Sequence, residues 1–504
     1  MSPTYFNSRM NIRHLAIALI VGAILAGCAS SLNPISGRKS YGFAWSPSEE
    51  IQIGREADGS IVAQYGLYDN EITARYVDSL GQALASVSHF SRGDVSPIWA
   101  NMDFYFRVLD SPVVNAFALP GGYVYVTRGL LAYLENEAQL AVVLGHEIGH
   151  VVGRHGSKAT RKQQFGMGAL ILGALGSQAV FGGNAAENVL DMGSQATQLL
   201  FLKYGRDAET EADQLGVEYA AMSNYDAAQA SAFFGSLKRM AEESGQSLPS
   251  LLSSHPDPGD REEYIRQRAA RYTADYAMNK VRQGSLLRHV EGLVYGEDPR
   301  QGYVDNGMFH HPQMKFSFPV PNGFTTINQP TRVVMVPQNQ EVILYLEVDY
   351  KSKTAREAAE TFVAQEGLTV VESGMGQSAG FSARYVIADG TDDKGNVLRV
   401  RVHYIDFDEV VFSFTGLSSK AAYSSYSADF VNTMQGFRRE TNAAILNKQP
   451  NRVAVLKAPN TARFDELVRS YLNVSGVDLM TLAILNQVDT SQQIPQSTAF
   501  KVVQ

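Results

Sequence analysis

The stretch from Glu135 to His155 constrains the fold of this chain more than any other. Its apolar residues recur at spacings of three and four, which predicts a helix: Leu140, Val143, Leu144, Ile148 and Val151. On that helix His146 and His150 lie on one face, because they are one turn apart. The neighbouring residues are apolar or small, which favours a buried helix. Buried imidazoles need polar partners, so the fold must supply them.

Residues His146, Glu147 and His150 form an H-E-x-x-H pattern. Two imidazoles on one helical face can share a metal ion, and the glutamate between them can reach a water on that metal. Zinc lowers the pKa of bound water and polarises a carbonyl, while a carboxylate takes up the proton. The pattern therefore predicts a zinc site with Glu147 as general base. The alternative is a surface helix with two solvated histidines.

His155 is the first candidate for a third ligand. The run from His146 resembles the metzincin pattern H-E-x-x-H-x-x-G-x-x-H, but His155 comes one residue too early. On a continuing helix, at roughly 100° per residue, it would point away from His146. We therefore expect His155 behind the site or at the surface, not on the metal.

Glu209 and Asp213 are a better pair of candidates. They are one turn apart in a second segment whose apolar stripe predicts a helix. The glutamate can bind zinc, and the aspartate can accept a hydrogen bond from a ligating imidazole. Alternatively, both belong to a charged, solvated helix together with Glu211 and Glu218.

Both segments together resemble a known family. H-E-x-x-H followed by E-x-x-A-D, here Glu209-Thr-Glu-Ala-Asp213, is similar to the HtpX/BepA-type gluzincin metallopeptidases, which include the CAAX prenyl proteases. The stretch 115–129 looks like that family's strand before the catalytic helix. Ser254-His255-Pro256, with Arg261 after it, resembles the family's H-P-x-x-x-x-R element. The resemblance covers residues 46–271, a little under half of the chain.

The resemblance implies one zinc ion per chain, with His146, His150 and Glu209 as ligands. It also implies that Asp213 supports the site from one turn further along its helix. The stretch 115–129 would line the cleft and pair with an extended substrate.

The same resemblance implies three catalytic residues, which are Glu147, His255 and Arg261. His255 and Arg261 would lie close to the metal. Two roles stay open for His255: it donates to the developing oxyanion, or it binds zinc in a resting state that blocks water. A third possibility is a turn residue before Pro256.

The N-terminal residues predict a targeting signal. Arg9 and Arg13 precede an apolar run, 15–25, that is too short to span a bilayer comfortably. Cys28 is the single cysteine of the chain, and its context Leu-Ala-Gly-Cys resembles the bacterial lipobox, in which the cysteine is lipidated. Ala29 follows it, not the aspartate that commonly retains such lipoproteins at the inner membrane. We expect residues 1–28 to be a lipoprotein signal peptide, and the protein to be lipid-anchored on the periplasmic side of the outer membrane; the alternative is a chance cysteine in an ordinary signal peptide.

Size and charge limit the remaining choices. A chain of 504 residues exceeds what one core usually organises, so several domains are expected. A net charge of -8 without any Lys/Arg-rich run argues against nucleic acid as a partner.

We predict an α+β multidomain protein. A mainly helical gluzincin-type zinc peptidase domain with an edge strand covers 29–300, an α+β sheet domain covers 305–440, and a small LysM-like module covers 450–504. The sequence of 450–504 predicts the order strand, helix, helix, strand of a LysM module. However, Pro459-Asn-Thr461 stands where such a module usually has Gly-Asp-Thr. Residues 163–186 carry no charge; a flexible lid or packed hairpin over the cleft is favoured over a membrane insertion or a buried helix.

The sequence thus predicts a zinc-dependent metalloendopeptidase of the bacterial periplasm. The family resemblance implies that its substrates are peptides or unfolded and misassembled envelope proteins, in outer-membrane protein quality control. Its further partners would be the membrane, through the lipid anchor, and peptidoglycan, through the C-terminal module. The alternative is a gated or non-catalytic chaperone or binding lipoprotein that docks envelope proteins or cell wall.

Overall fold

The computed structural model describes residues 45–92, 97–159, 204–244, 261–391, 395–472 and 476–504, together with 31–32, 35, 39–40, 251 and 255. The predicted signal peptide with Cys28, the uncharged segment 163–186, and Ser254 and Pro256 lie outside the described residues. Within the described part, every helix is too short or too polar to cross a bilayer.

The first unit is mainly helical. Its helices are α1 (Pro47–Tyr65), α2 (Glu71–Ala85), α3 (Pro97–Ala100), α4 (Arg128–Tyr133), α5 (Glu137–Val152), α6 (Arg206–Met222), α7 (Ala230–Ser244), α8 (Arg261–Ala270) and α9 (Gln283–Val290). A short ribbon, β1 (Ser31–Leu32) with β2 (Lys39–Ser40), precedes them. Helix α5 carries the H-E-x-x-H pattern and is buried along its whole length, which excludes a solvated surface helix.

A three-stranded sheet lies beside α5, in the order β3 (Tyr105–Leu109), β5 (Tyr123–Thr127), β4 (Ala116–Leu119). Strand β3 is parallel to β5, whereas β4 is antiparallel to it and packs on α5. The stretch 115–129, expected as one strand, is therefore a hairpin followed by the start of α4. The reason is local: Gly121 and Gly122 adopt φ of 82° and 91°, and a Cβ on Gly122 would lie 2.1 Å from the Asp103 carbonyl oxygen.

The second unit consists of two antiparallel sheets and two principal helices. The larger sheet has the order β12 (Thr369–Ser378), β13 (Phe381–Thr391), β14 (Val397–Phe407), β15 (Val410–Ser419), β11 (Val342–Asp349), β10 (Arg332–Pro337), β9 (Phe324–Asn328). The smaller has the order β16 (Arg438–Arg439), β8 (Phe316–Pro319), β7 (Met308–His311), β6 (Tyr303–Asp305). Helix α10 (Ala355–Val363) packs on β13 and β14, and α11 (Tyr423–Gln435) packs on β15 and β8. Successive residues of the central strands point to opposite faces of the larger sheet and belong to two separate hydrophobic cores. Helix α10 packs in one core and α11 in the other, so the two helices lie on opposite faces of this sheet.

The C-terminal segment follows a short helix, α12 (Ala443–Leu446). Its elements are β17 (Val453–Lys457), β18 (Ala462–Arg463), α13 (Phe464–Val468), α14 (Leu479–Leu485), β19 (Gln493–Ile494) and β20 (Ala499–Val503), which contain the expected order strand, helix, helix, strand. Strand β17 pairs with β20 in antiparallel register. Its apolar residues, among them Phe464 and Leu485, belong to the same hydrophobic core as Leu144 and Phe233 of the first unit. The last fifty residues are thus packed against the first unit.

Candidate metal centre

Helices α5 and α6 approach closely enough to bring their polar side chains together. Where they cross, a Cβ on Gly145 would lie 2.9 Å from the Gly216 carbonyl oxygen, and one on Gly216 would lie 2.8 Å from the His146 amide nitrogen. Glycine at these positions therefore permits backbone contact between the two helices. The consequence is that the ligand-bearing face of α5 meets Glu209 and Asp213 of α6.

Four buried side chains converge at this crossing: His146, His150, Glu209 and His255. The Nε2 atoms of His146 and His150 are 2.9 Å apart, and each lies 3.4–3.5 Å from a Glu209 oxygen. His255 turns Nδ1 toward the same point, 3.1 Å from Glu209 Oε1 and 3.3 Å from His146 Nε2. The three residues predicted as ligands are therefore gathered in one place, and His255 joins them as a fourth.

The spacing and charge of this cluster fit a zinc ion. Tetrahedral zinc with bonds of about 2.0–2.1 Å has ligand atoms separated by roughly 3.3 Å, close to the separations of 2.9–3.5 Å found here. The buried charges in contact are three carboxylates, Glu147, Glu209 and Asp213, against the single guanidinium of Arg261. With the histidines neutral, as metal ligation requires, their balance is two negative charges, which a divalent cation neutralises.

Asp213 and Arg261 hold His146 from behind. Asp213 Oδ1 lies 2.8 Å from His146 Nδ1, and a carboxylate can only accept, so Nδ1 carries the proton and Nε2 faces the cluster. Arg261 donates from Nε to Asp213 Oδ1 at 3.0 Å, and its Nη2 lies 3.1 Å from His146 Nδ1. Burial and the Arg261 charge act to lower the pKa of His146, but hydrogen bonds with Asp213 and Glu209 outweigh them and raise it to about 9. A basic imidazole of this kind is a strong donor to a metal.

Glu147 stands beside the cluster, one residue after His146 and three residues before His150. Its carboxylate is fully buried, and neither oxygen has a hydrogen-bond partner among the described residues. Oε1 lies 3.8 Å from His255 Nε2. Burial raises the pKa of the Glu147 carboxyl above its ordinary value, which suits a group that must accept a proton near neutral pH. An unpaired buried carboxylate requires a cation or an ordered water nearby.

His155 is buried behind His150, so the surface location allowed by the sequence is wrong. Its Nδ1 lies 2.9 Å from His150 Nδ1, and its Nε2 lies 2.9 Å from Glu211 Oε2. The extrapolation along a continuous helix failed because α5 ends at Val152 and Arg154 adopts a left-handed φ of 56°. Tyr204, which the sequence did not single out, stacks on His150 with ring centroids 4.1 Å apart.

A further buried contact escaped sequence reasoning because its partners are far apart in the chain. Glu50 of α1 accepts from Arg154 Nε at 2.9 Å, and both side chains are almost completely buried. Trp45 N donates to Ser157 Oγ at 2.8 Å. These contacts fasten the start of α1 to the turn that follows α5. No local sequence pattern around Glu50 could have indicated its ion pair with Arg154.

Comparison with known proteins agrees with this geometry. Residues 71–269 match the family model of peptidase family M48. The chain is 30% identical over 258 residues to the β-barrel assembly-enhancing protease of Escherichia coli (strain K12), covering 51% of each protein. It is 33% identical over 211 residues to a putative protein of the same name from Vibrio cholerae, covering 40% of each. The human mitochondrial metalloendopeptidase OMA1 is 30% identical over 174 residues, which are 33% of this chain and 32% of that one.

The chain spans about half the length of the E. coli protein that it matches. Among solved structures, cyanobacterial PsbP from Synechocystis sp. PCC 6803 covers 28% of the chain with 12% identity and a TM-score of 0.21, too low to bear on the fold. The matched region 71–269 nevertheless contains the whole cluster with its H-E-x-x-H and E-x-x-A-D patterns. Residues 71–269 of this chain therefore correspond to a domain of peptidase family M48.

Proposed function

We propose that this chain is a zinc-dependent metalloendopeptidase with His146, His150 and Glu209 as its catalytic zinc ligands. The observation that carries the proposal is the convergence of these three side chains beside the unpaired, buried carboxylate of Glu147. A site that only stores or fixes a metal has no chemical need for a carboxylate in that position. The pattern of ligands plus adjacent base is the one that peptide-bond hydrolysis requires.

Bound zinc would supply a Lewis acid that lowers the pKa of water and polarises the scissile carbonyl. Glu147 accepts the proton of the attacking water on a carboxylate oxygen and passes it to the leaving amine. Asp213 keeps the proton of His146 on Nδ1, and Arg261 holds that carboxylate in place. Arg261 thus contacts Asp213 and the proposed ligand His146. Its proposed role is to maintain the position and charge of these side chains.

Strand β4 is the proposed docking edge for an extended substrate. It ends the three-stranded sheet among the described strands and packs against α5, which carries Glu147. An extended peptide can add to such an edge by backbone hydrogen bonds, leaving sequence preference to side-chain pockets. Leu251 N already donates to Val114 O, just before β4, at 3.2 Å, so this edge accepts backbone donors.

The biological setting is part of the proposal. We infer a lipoprotein anchored through Cys28 on the periplasmic side of the outer membrane, where it degrades unfolded or misassembled envelope proteins. The lipobox-like context of Cys28 and the names of the β-barrel assembly-enhancing relatives support this setting. The boundaries 29–300, 305–440 and 450–504 remain predictions, as does contact with peptidoglycan through a LysM-like C-terminal module.

One feature favours the alternative of a gated protein. His255 occupies the fourth position of the cluster, with Nδ1 3.1 Å from Glu209 Oε1. A zinc site with four protein ligands is closed, whereas a catalytic site keeps one position for water or substrate. The arrangement therefore corresponds to a resting state in which His255 must withdraw before hydrolysis, and in that state the protein would bind clients without cutting them.

The zinc content of the purified chain tests the proposed ligands. Glu209→Ala should remove zinc, because the remaining imidazoles lose the anionic ligand. Asp207→Ala, an exposed aspartate two residues earlier on α6, is the matched control and should keep one zinc per chain. Zinc would be measured by atomic absorption after gel filtration. A wild-type protein without zinc, or a Glu209→Ala protein that still holds it, would show the ligand assignment to be wrong.

Replacing His255 decides between its two roles. We expect His255→Ala to retain zinc on the other three ligands and to hydrolyse an unfolded model protein faster than wild type, because a coordination position becomes open. Initial rates would be followed by release of fluorescent fragments from labelled casein. A rate well below wild type with zinc retained would instead assign His255 to the oxyanion.

A further inference from the structure

We propose that His155 and Glu211 are positioning residues for His150: together they fix which nitrogen of that imidazole faces the metal. The inference rests on the proposed zinc site and adds two residues to it. Glu211 does not contact the cluster, and His155 contacts it only at Nδ1 of His150, the nitrogen that faces away from the other ligands. Their effect passes through a chain of two hydrogen bonds that begins at a carboxylate and ends at a ligand.

The direction of both hydrogen bonds follows from the carboxylate. Glu211 Oε2 lies 2.9 Å from His155 Nε2, and because an ionised carboxylate can only accept, Nε2 carries the proton. In the neutral ring, His155 Nδ1 is then an acceptor. It lies 2.9 Å from His150 Nδ1, so His150 must donate from Nδ1. The lone pair of His150 is left on Nε2, the atom that faces Glu209 and His146.

The turn after α5 is built to bring His155 to this position. Helix α5 ends at Val152, and two residues later Arg154 adopts a left-handed φ of 56°. The imidazole of His155 lies over Gly153, where a Cβ would come within 2.4 Å of His155 Nε2. Any larger residue at Gly153 would displace the ring. His155 is itself only 4% exposed, so its two polar atoms depend on His150 and Glu211.

Helix α6 thereby supports both histidines of the H-E-x-x-H pattern, by two different routes. Asp213 reaches His146 directly, at 2.8 Å from Nδ1. Glu211 is two residues from both Glu209 and Asp213, so it leaves the helix on a different face. Its side chain is 38% exposed and reaches the far side of His155, not the cluster. His150 is therefore held through a second imidazole where His146 is held by a carboxylate.

The test is the zinc affinity of four variants, measured by competition with a chromogenic chelator. His155→Phe keeps a ring of similar size but offers no acceptor to His150, and it should weaken zinc binding by about 10–100-fold, the usual cost of losing such a support. His155→Asn places an oxygen where Nδ1 was and should recover part of that loss. Glu211→Leu leaves the His155 ring in place but removes the carboxylate that keeps its proton on Nε2. It should weaken zinc binding by a smaller factor than His155→Phe does. His289→Phe, a histidine stacked on Tyr76, is the control and should bind as wild type.

The variants separate the possible explanations. Urea denaturation of the zinc-free variants would give their free energies of unfolding. A loss of packing would then be measured separately from a loss of zinc affinity. Equal zinc affinity for His155→Phe and wild type, or equal weakening by the Phe and Asn variants, would overturn the positioning role. If His155→Phe does not fold, the zinc affinity of Glu211→Leu is the test. An affinity equal to that of wild type would then overturn the positioning role. A wild-type protein without zinc would instead refute the proposed function itself.

Discussion

Glu147→Gln is expected to slow peptide hydrolysis by about 10²–10⁴-fold, the contribution of a positioned general base, while zinc stays bound. Glutamine has nearly the same shape as glutamate but cannot accept the proton of the attacking water. The carboxylate of Glu147 is 1% exposed and has no hydrogen-bond partner among the described residues, so the substitution removes a buried charge without breaking a hydrogen bond. The variant should therefore fold at least as well as wild type.

The measurement compares initial hydrolysis rates with zinc content in the same preparation. Glu262→Gln, a half-exposed glutamate on α8, is the control for loss of one negative charge and should leave both quantities unchanged. Loss of zinc from Glu147→Gln would make the residue a ligand and not a base. Hydrolysis at the wild-type rate would show that the proton is taken up elsewhere.

The same variant separates the two proposed functions. If the protein is an endopeptidase, a strain that carries only Glu147→Gln should resemble the deletion strain in every envelope phenotype that depends on cutting. If it is a gated binding protein, Glu147→Gln should restore the wild-type phenotype. A Glu147→Gln variant that binds an unfolded client but fails to degrade it would support the endopeptidase. Binding and hydrolysis would then be separated by the loss of one carboxylate.

The sequence was sufficient for the centre of the site. His146 and His150 share a helix face because of their spacing, and Glu209 and Asp213 do the same on a second helix. The structure brings the two faces together through glycine contacts that the sequence also displays. The family resemblance added His255 and Arg261, which periodicity alone could not have indicated. Both are within 4 Å of a proposed ligand.

The sequence was insufficient where local periodicity carries no signal. The sequence left two positions open for His155, behind the site or at the surface, and could not choose between them because a left-handed residue, Arg154, interrupts the helix that the apolar pattern suggests. Strand β12 was not foreseen because it is an edge strand with most of its residues exposed on both faces, so hydrophobic and polar positions do not alternate. Its two glycines, Gly374 and Gly376, weaken the strand propensity further.

The position of the C-terminal segment was also beyond the sequence, because it depends on contacts between residues more than 300 positions apart. Lys501 of β20 is fully buried, and its ammonium donates to the carbonyl oxygens of Ala132 and Leu134 at 2.8 and 2.9 Å. It also lies 2.9 Å from Glu135 Oε1. Ala132 is in the last turn of α4, and Leu134 and Glu135 are in the connection to α5. The C-terminal segment thus holds the residues that immediately precede the helix bearing His146.

Lys501→Met is accordingly expected to lower the free energy of unfolding by about 3–5 kcal/mol, the cost of breaking a buried ion pair by removing one partner. Methionine fills most of the volume of lysine, so the loss would come mainly from the unpaired Glu135 and the two carbonyl groups. Burial raises the pKa of Glu135, and the ammonium of Lys501 opposes that rise. Urea denaturation followed by fluorescence would measure the change. Lys457→Met, on the exposed end of the paired strand β17, should change stability by less than about 0.5 kcal/mol.

A double variant shows where the loss arises. Lys501→Met with Glu135→Gln should be more stable than Lys501→Met alone by about 0.5–3 kcal/mol, the range for coupled neighbours, because no uncompensated charge remains. Recovery should be incomplete, since the Ala132 and Leu134 carbonyls still lack a donor. If Lys501→Met unfolds in two steps, with the first unit unchanged, the C-terminal segment is an independent module that merely rests on the peptidase domain. A single weakened transition, accompanied by lower zinc affinity, would mean that residues 450–504 belong to the folding unit that holds α5 in place.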